Sequence, residues 1–181
     1  ERIVATAVRG SHRVFLCPGA LTFPAVSPRF GRVMAKRSFR RAIITGAASG
    51  IGRAFARELA SAGSALGLID VAADALRGAA LDLSDAAGRV RTRVVDVSDR
   101  IAVDEAMSAL GGELGGVDLV VHCAAALFPG RFLDQPPADF DRAIAIDLVG
   151  TANVVRAAAP LVTRSRGAIV SCGPRSQASR R

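Results

Sequence analysis

The stretch "IITGAASGIGRAF", Ile43–Phe55, sets Gly46, Gly50 and Gly52 between an apolar run and a helix-like period. Thr45-Gly46-x-x-x-Gly50-x-Gly52 is the spacing of a strand that turns sharply into a helix beside a phosphate. Gly46 is expected to turn the chain off the strand. Gly50 is expected to remove a side chain where a pyrophosphate approaches the backbone, and Gly52 to let the helix pack closely on the sheet. The N–H groups at the helix start, near Ile51 and Gly52, then face the diphosphate with the positive end of the helix dipole. Position 49 is Ser and not the Lys of a P-loop, which disfavours a nucleoside triphosphate.

Working outward, the pattern after Arg41 alternates as βαβ units do. The first strand is expected at Ala42–Thr45, with a helix from Gly50 to Ala62 whose apolar face carries Ile51, Phe55 and Leu59. The second strand, "ALGLID", ends at Asp70, and a helix over "AADALRGAALDLSDA" follows. The third strand is "RVRTRVVDV", after which Ser98 is the expected N-cap of "DRIAVDEAMSAL". A fourth strand is expected at Val117–Ala124, a long helix over Ala138–Val162, and a fifth strand at Gly167–Cys172. The long helix is apolar over more than one face, the pattern of a helix covered on two sides. The expected fold is α/β, a doubly wound parallel sheet of five strands in the order 3-2-1-4-5, of the Rossmann type.

Composition places the rest of the chain. It has 181 residues, 50% of them hydrophobic, with no Trp and no Tyr. The net charge of +8 belongs to residues 1–41, which hold nine Lys and Arg against Glu1; in residues 42–181 fifteen Arg face fifteen acids. Residues 1–37 are read as a basic extension, with prolines at 18, 24 and 28 and no sustained period, expected to be disordered. An organelle-targeting segment over residues 1–33 and a nucleic-acid-binding arm are the alternatives. Residues 38–173 form the expected dinucleotide-binding domain, and 174–181 a disordered tail. Cys17, Cys123 and Cys172 are odd in number and widely spaced, and no metal site is expected. Buried thiols suit a reducing compartment, so a cytoplasmic location is expected, and no membrane span.

Asp70 closes the second strand, 18 residues beyond Gly52, where an acid can accept from both hydroxyls of an adenosine ribose. A 2′-phosphate would be repelled there, and Val71 supplies no cation, so NAD is preferred over NADP. Together, T-G-x-x-x-G-I-G and the following Asp resemble the short-chain dehydrogenase/reductase family, the likeness running from Lys36 to Cys172. The resemblance implies that Asp96, with the Val97 N–H, binds the adenine. "VVHCAAA" stands at the family's N-N-A-G motif, of which Ala124 is kept. The residues expected to hold the cofactor are therefore Thr45, Gly46, Ser49, Gly50, Ile51, Gly52 and Asp70, with Asp96, Val97 and Ala124 added by the resemblance. The resemblance also implies hydride transfer between nicotinamide and a small alcohol or carbonyl substrate, and a homo-oligomer through helix 138–162.

The same resemblance locates what is missing. The family's proton-transfer pair is Y-x-x-x-K, but the chain has no Tyr and its one lysine is Lys36. Asp147 stands at the position of the family's helix Asn, and Pro174 at that of its Ser. His122, Cys123 and Ala125 replace the two Asn and the Gly of N-N-A-G, and weaker polar stapling between strand and cofactor loop is expected. His122 is read as a packed histidine rather than a proton shuttle, and Cys172 as lacking an activating base. The chain is read as an incomplete copy of a dehydrogenase, with an open sheet edge at the fifth strand. It is expected to be inactive as it stands; a non-catalytic dinucleotide binder and, behind it, a nucleic-acid binder are the alternatives.

Overall fold

The computed structural model describes residues 39–83 and 89–173, and the backbone of two strands nearer the N-terminus. The strands are β1 (Val4–Ala7), β2 (Arg13–Pro18), β3 (Arg41–Thr45), β4 (Ala65–Asp70), β5 (Val90–Val94), β6 (Leu119–His122) and β7 (Ala168–Gly173). Helix α1 spans Gly50–Ser61, α2 Ala73–Leu81 and α3 Arg100–Glu113. Helix α4 runs over Pro137–Ser165, with a π-helical stretch at Ile144–Gly150.

The sheet order is β1-β2-β7-β6-β3-β4-β5. The five strands from β3 to β7 are mutually parallel and, counted among themselves, lie in the order 3-2-1-4-5. Parallel strands need crossovers, and the helices between them cover both faces of the sheet. Ala42 and Ile44 of β3 point to the side packed by Phe55 and Leu59 of α1. Ile43 points to the other side, among Met107 and Leu110 of α3 and Val154 and Ala158 of α4. All three β3 residues are fully buried, which is why the strand reads as an unbroken apolar run.

Several expectations change. The edge of the fifth strand is not open: β2 pairs with β7 in parallel, Phe15 opposite Val170, and β1 pairs antiparallel with β2. The N-terminal extension, expected to be disordered, thus supplies two strands; its remainder, and residues 174–181 with Pro174, lie outside the described residues. β5 ends at Val94, because Val95–Val97 leave the sheet to reach the site. The N-cap of α3 is Asp99 and not Ser98: its Oδ1 accepts from the N–H groups of Ile101 and Ala102, at 3.0 and 3.1 Å.

By length and composition α4 could cross a membrane, with a mean hydropathy of 1.3 over its most apolar window. One face of it, at Val154, Ala158 and Val162, is packed into the sheet instead. The N-terminal part of α4 exposes Phe140, Ile144, Leu148 and Val149 within the single chain, so the sheet covers one of the two sides expected to be covered.

Helix α2 offers a check on the packing. An added Cβ at Gly78 would meet nothing within 4 Å, in a helix interior where glycine costs backbone entropy. Gly78→Ala is therefore expected to stabilise the chain by about 0.5–1 kcal/mol in urea unfolding.

Candidate functional site

At the carboxyl ends of the strands lies a cleft of about 280 Å³. The turn after β3 forms one wall, through Gly46, Ser49, Gly50, Ile51 and Gly52. Asp70 and Val71 close it beyond β4, Asp96 and Val97 beyond β5, and Cys123, Ala124 and Ala125 beyond β6. Arg142 and Ile146 reach into it from α4. The structure thus brings together every expected cofactor residue except Thr45.

The three glycines act differently. Gly46 has φ +65°, and a Cβ there would stand 2.7 Å from the Cys123 carbonyl carbon and the Ala124 nitrogen. The turn is therefore pressed against the end of β6. Gly50 has φ +50° and would meet no protein atom within 4 Å; its missing side chain leaves open cleft. Gly52 was expected to admit the sheet. Its Cβ would instead collide with the Gly46 carbonyl group, so the close contact is between the helix and its own turn. Ser49, the N-cap of α1, makes no side-chain capping bond. The first-turn N–H groups of a helix have no intrahelical acceptors, and in α1 this turn opens on the cleft.

Asp70 is held in place by backbone donors. Its Oδ2 accepts from the Ala48 N–H at 2.9 Å and its Oδ1 from the Ala72 N–H at 3.0 Å. Each carboxylate oxygen keeps a second lone pair, so a vicinal diol can still donate to both. The glycine turn and the acid at the tip of the next strand are thus one hydrogen-bonded unit.

Asp96 is held from two sides. Oδ1 accepts from the N–H and hydroxyl of Ser98, at 2.9 and 2.7 Å, and Oδ2 faces the Arg142 guanidinium at 2.7 Å. Burial alone would raise this carboxyl, but the Ser98 bonds and the Arg142 cation outweigh it and hold it below the ordinary 3.8. Helix α4 grips the same turn again further along. The Asn153 amide donates to the carbonyls of Val97 and Ser98 at 3.0 and 3.3 Å, and Gly150 is pressed against the Val97 side chain.

Thr45 does not line the cleft. It is fully buried, and its hydroxyl meets His122 Nδ1 at 2.7 Å. His122 Nε2 lies 3.0 Å from the Thr151 hydroxyl, which donates to the Asp147 carbonyl at 2.6 Å. That donation leaves the Thr151 oxygen to accept, which assigns the imidazole proton to Nε2. Nδ1 then accepts from Thr45, whose oxygen takes the Ala124 N–H at 3.4 Å. Burial lowers the His122 pKa to about 4, so the ring is neutral at pH 7. A polar staple of another kind is present: one neutral histidine on β6 joins Thr45 of β3 to Thr151, the residue of α4 that follows its π stretch. The Asp147 carboxylate accepts from the Ala126 N–H at 2.8 Å and fastens the loop after β6 to the same stretch.

Sequence reading missed Arg142 and Asn153. The one signal for Asn153 was a polar residue next to Val154 on an otherwise apolar face. Arg142 carried none, since an arginine on an exposed helix is ordinary. Among the described residues no cluster of His, Cys, Asp and Glu could hold a metal ion.

Comparison with known proteins agrees with this fold. The family profile described as enoyl-(acyl carrier protein) reductase matches residues 46–179. A probable oxidoreductase of Mycobacterium tuberculosis, EphD, is 37% identical over 63% of this chain and 19% of its own length. Carveol dehydrogenase from Mycobacterium avium, solved in complex with NAD, superposes with a TM-score of 0.67 at 28% identity, over 73% of this chain and 53% of that one. An alcohol dehydrogenase from Thermococcus sibiricus, complexed with 5-hydroxy-NADP, does so with 0.66 at 33% identity, over 72% and 57%. The chain therefore spans about half the length of the solved structures it matches. With the glycine turn, the parallel order 3-2-1-4-5 and the profile match in agreement, the chain belongs to the short-chain dehydrogenase/reductase family.

Proposed function

We propose that these residues form the dinucleotide-binding half of an oxidoreductase acting on a small alcohol or carbonyl compound, with NAD preferred over NADP. The observation that carries this reading is the union of the glycine turn and Asp70 through the Ala48 N–H, beside the uncapped start of α1. The residues fit the group: Gly50 leaves open space where a diphosphate needs it, and the cleft continues to Asp96. Gly46, Ser49, Gly50, Ile51 and Gly52 would hold the diphosphate, Asp70 the ribose diol, and Asp96, Val97 and Ala124 the adenine side. When bound, the nicotinamide of such a group donates or accepts hydride.

The chain's own part in that chemistry is binding and orientation. The sequence has no tyrosine, and Lys36 is its one lysine, so the family's proton-transfer pair is not among these residues. His122 does not replace it, because both its nitrogens are engaged and its ring is buried away from the cleft wall. The 181-residue chain is therefore expected to bind the dinucleotide without reducing it in the presence of alcohols. The exposed apolar face of α4 suits a second copy of the chain.

The test is calorimetric titration of the full chain with NAD, NADP and ADP-ribose. NAD and ADP-ribose are expected to bind alike, and NADP more weakly. Asp70→Ala removes two charge-assisted bonds to the diol, so NAD is expected to weaken about 10–100-fold while NADP changes little. Absence of binding by all three compounds overturns the reading, and an unchanged NAD to NADP ratio in Asp70→Ala overturns the role given to Asp70.

A further inference from the structure

The turn at Asp96 contains more machinery than a hydrogen bond to a base requires. A carboxylate offers about four acceptor positions. On Asp96, Oδ1 has both of its positions filled by the N–H and hydroxyl of Ser98, and Oδ2 has one filled by Arg142. One acceptor position remains, on Oδ2, and the guanidinium beside it sets its direction. Arg142 lines the cleft together with Asp96, so both groups of the pair border the space a nucleotide would enter. Arg142 is itself well placed, because its helix is fastened to the same turn by Asn153 and by the contact of Gly150 with Val97.

We infer that Arg142 is a positioning residue for base recognition, holding Asp96 so that its single unfilled acceptor meets an exocyclic 6-amino donor of the nucleotide. The inference rests on the dinucleotide reading above and deepens it. A base with a carbonyl at that position would set oxygen against oxygen, and the site would reject it. Without Arg142, the Oδ2 atom regains a second free lone pair, nothing sets which of the two a ligand meets, and the discrimination is lost. A guanidinium or ammonium at position 142 preserves the charge, whereas a neutral side chain does not.

The experiment compares NAD with nicotinamide hypoxanthine dinucleotide, which carries a carbonyl in place of the 6-amino group, by calorimetric titration of the full chain. The unsubstituted chain is expected to favour NAD about tenfold, the worth of one hydrogen bond to a charged group. Arg142→Ala is expected to reduce that preference to about twofold, and Arg142→Lys to restore most of it. A merely structural role would weaken both ligands equally and leave the ratio unchanged; that result, in a folded Arg142→Ala chain, overturns the inference while leaving dinucleotide binding intact. If Arg142→Ala fails to fold, Arg142→Gln serves, with the same two outcomes. If the unsubstituted chain binds neither compound, the dinucleotide reading fails and the inference fails with it.

Discussion

Gly52→Ala is expected to be the most damaging single-methyl change in the described part of this chain. The added carbon would collide with the carbonyl group of Gly46 and stand 2.7 Å from its carbonyl carbon. The obstacle is backbone, so no side-chain rotation relieves it. Either α1 moves away from its turn or the turn leaves the end of β6, against which Gly46 is itself pressed. Overpacking of this kind costs about 3 kcal/mol, and the displaced turn no longer presents its N–H groups to the cleft. Urea unfolding should show the loss of stability, and calorimetry a loss of NAD affinity of more than about tenfold. Gly78→Ala is the matched control, the same added methyl in open space. Equal stability of the two variants would mean that the packing of α1 on its turn is not as described.

His122→Leu is expected to cost about 3 kcal/mol or more, because it removes the partner of two hydroxyls at once. Thr45 is fully buried and loses the acceptor of its hydroxyl proton, while Thr151 keeps its donation to Asp147 and loses the donor that faced it. His122→Asn, which can donate and accept, should recover part of the loss.

The same histidine makes stability depend on pH. Its folded pKa is about 4, against an ordinary 6.5, so between those values the unfolded chain binds a proton that the folded chain refuses. Stability is fully present above about pH 6.5 and falls as the pH drops towards 4, by about 1.4 kcal/mol per unit and about 3 kcal/mol over the window. Urea midpoints at pH 7.5 and 4.5 measure this. The Asn variant should show a flatter profile over that range, and an equally steep one would remove His122 as the cause. Asp96 adds its own loss only at lower pH, below about 3.8, because its carboxyl is held in the charged form.

What the sequence determined by itself was local. The glycine spacing, the apolar run before it and Asp70 at the tip of the next strand were all readable, because turn geometry and strand ends are set by residues close together in the chain. The alternation of strands and helices then restricted the fold to few topologies, since parallel connections have a preferred hand. What only the tertiary structure decided were the pairings across long separations. Thr45 and His122 are 77 residues apart, Asp96 and Arg142 46, and Val97 and Asn153 56. The first follows from the pairing of β3 with β6, in which Thr45 stands opposite His122; the other two depend on where α4 crosses the sheet, and a periodic pattern reports a face but not a rotation of that face. For this reason Thr45 passed from cleft wall to buried staple, and an arginine unremarkable in the sequence came to stand beside the acid at the base end of the cleft. The strand pairing of β2 with β7 was hidden for the same physical reason: a short strand far along the chain takes its place from an edge that exists only once the sheet has assembled.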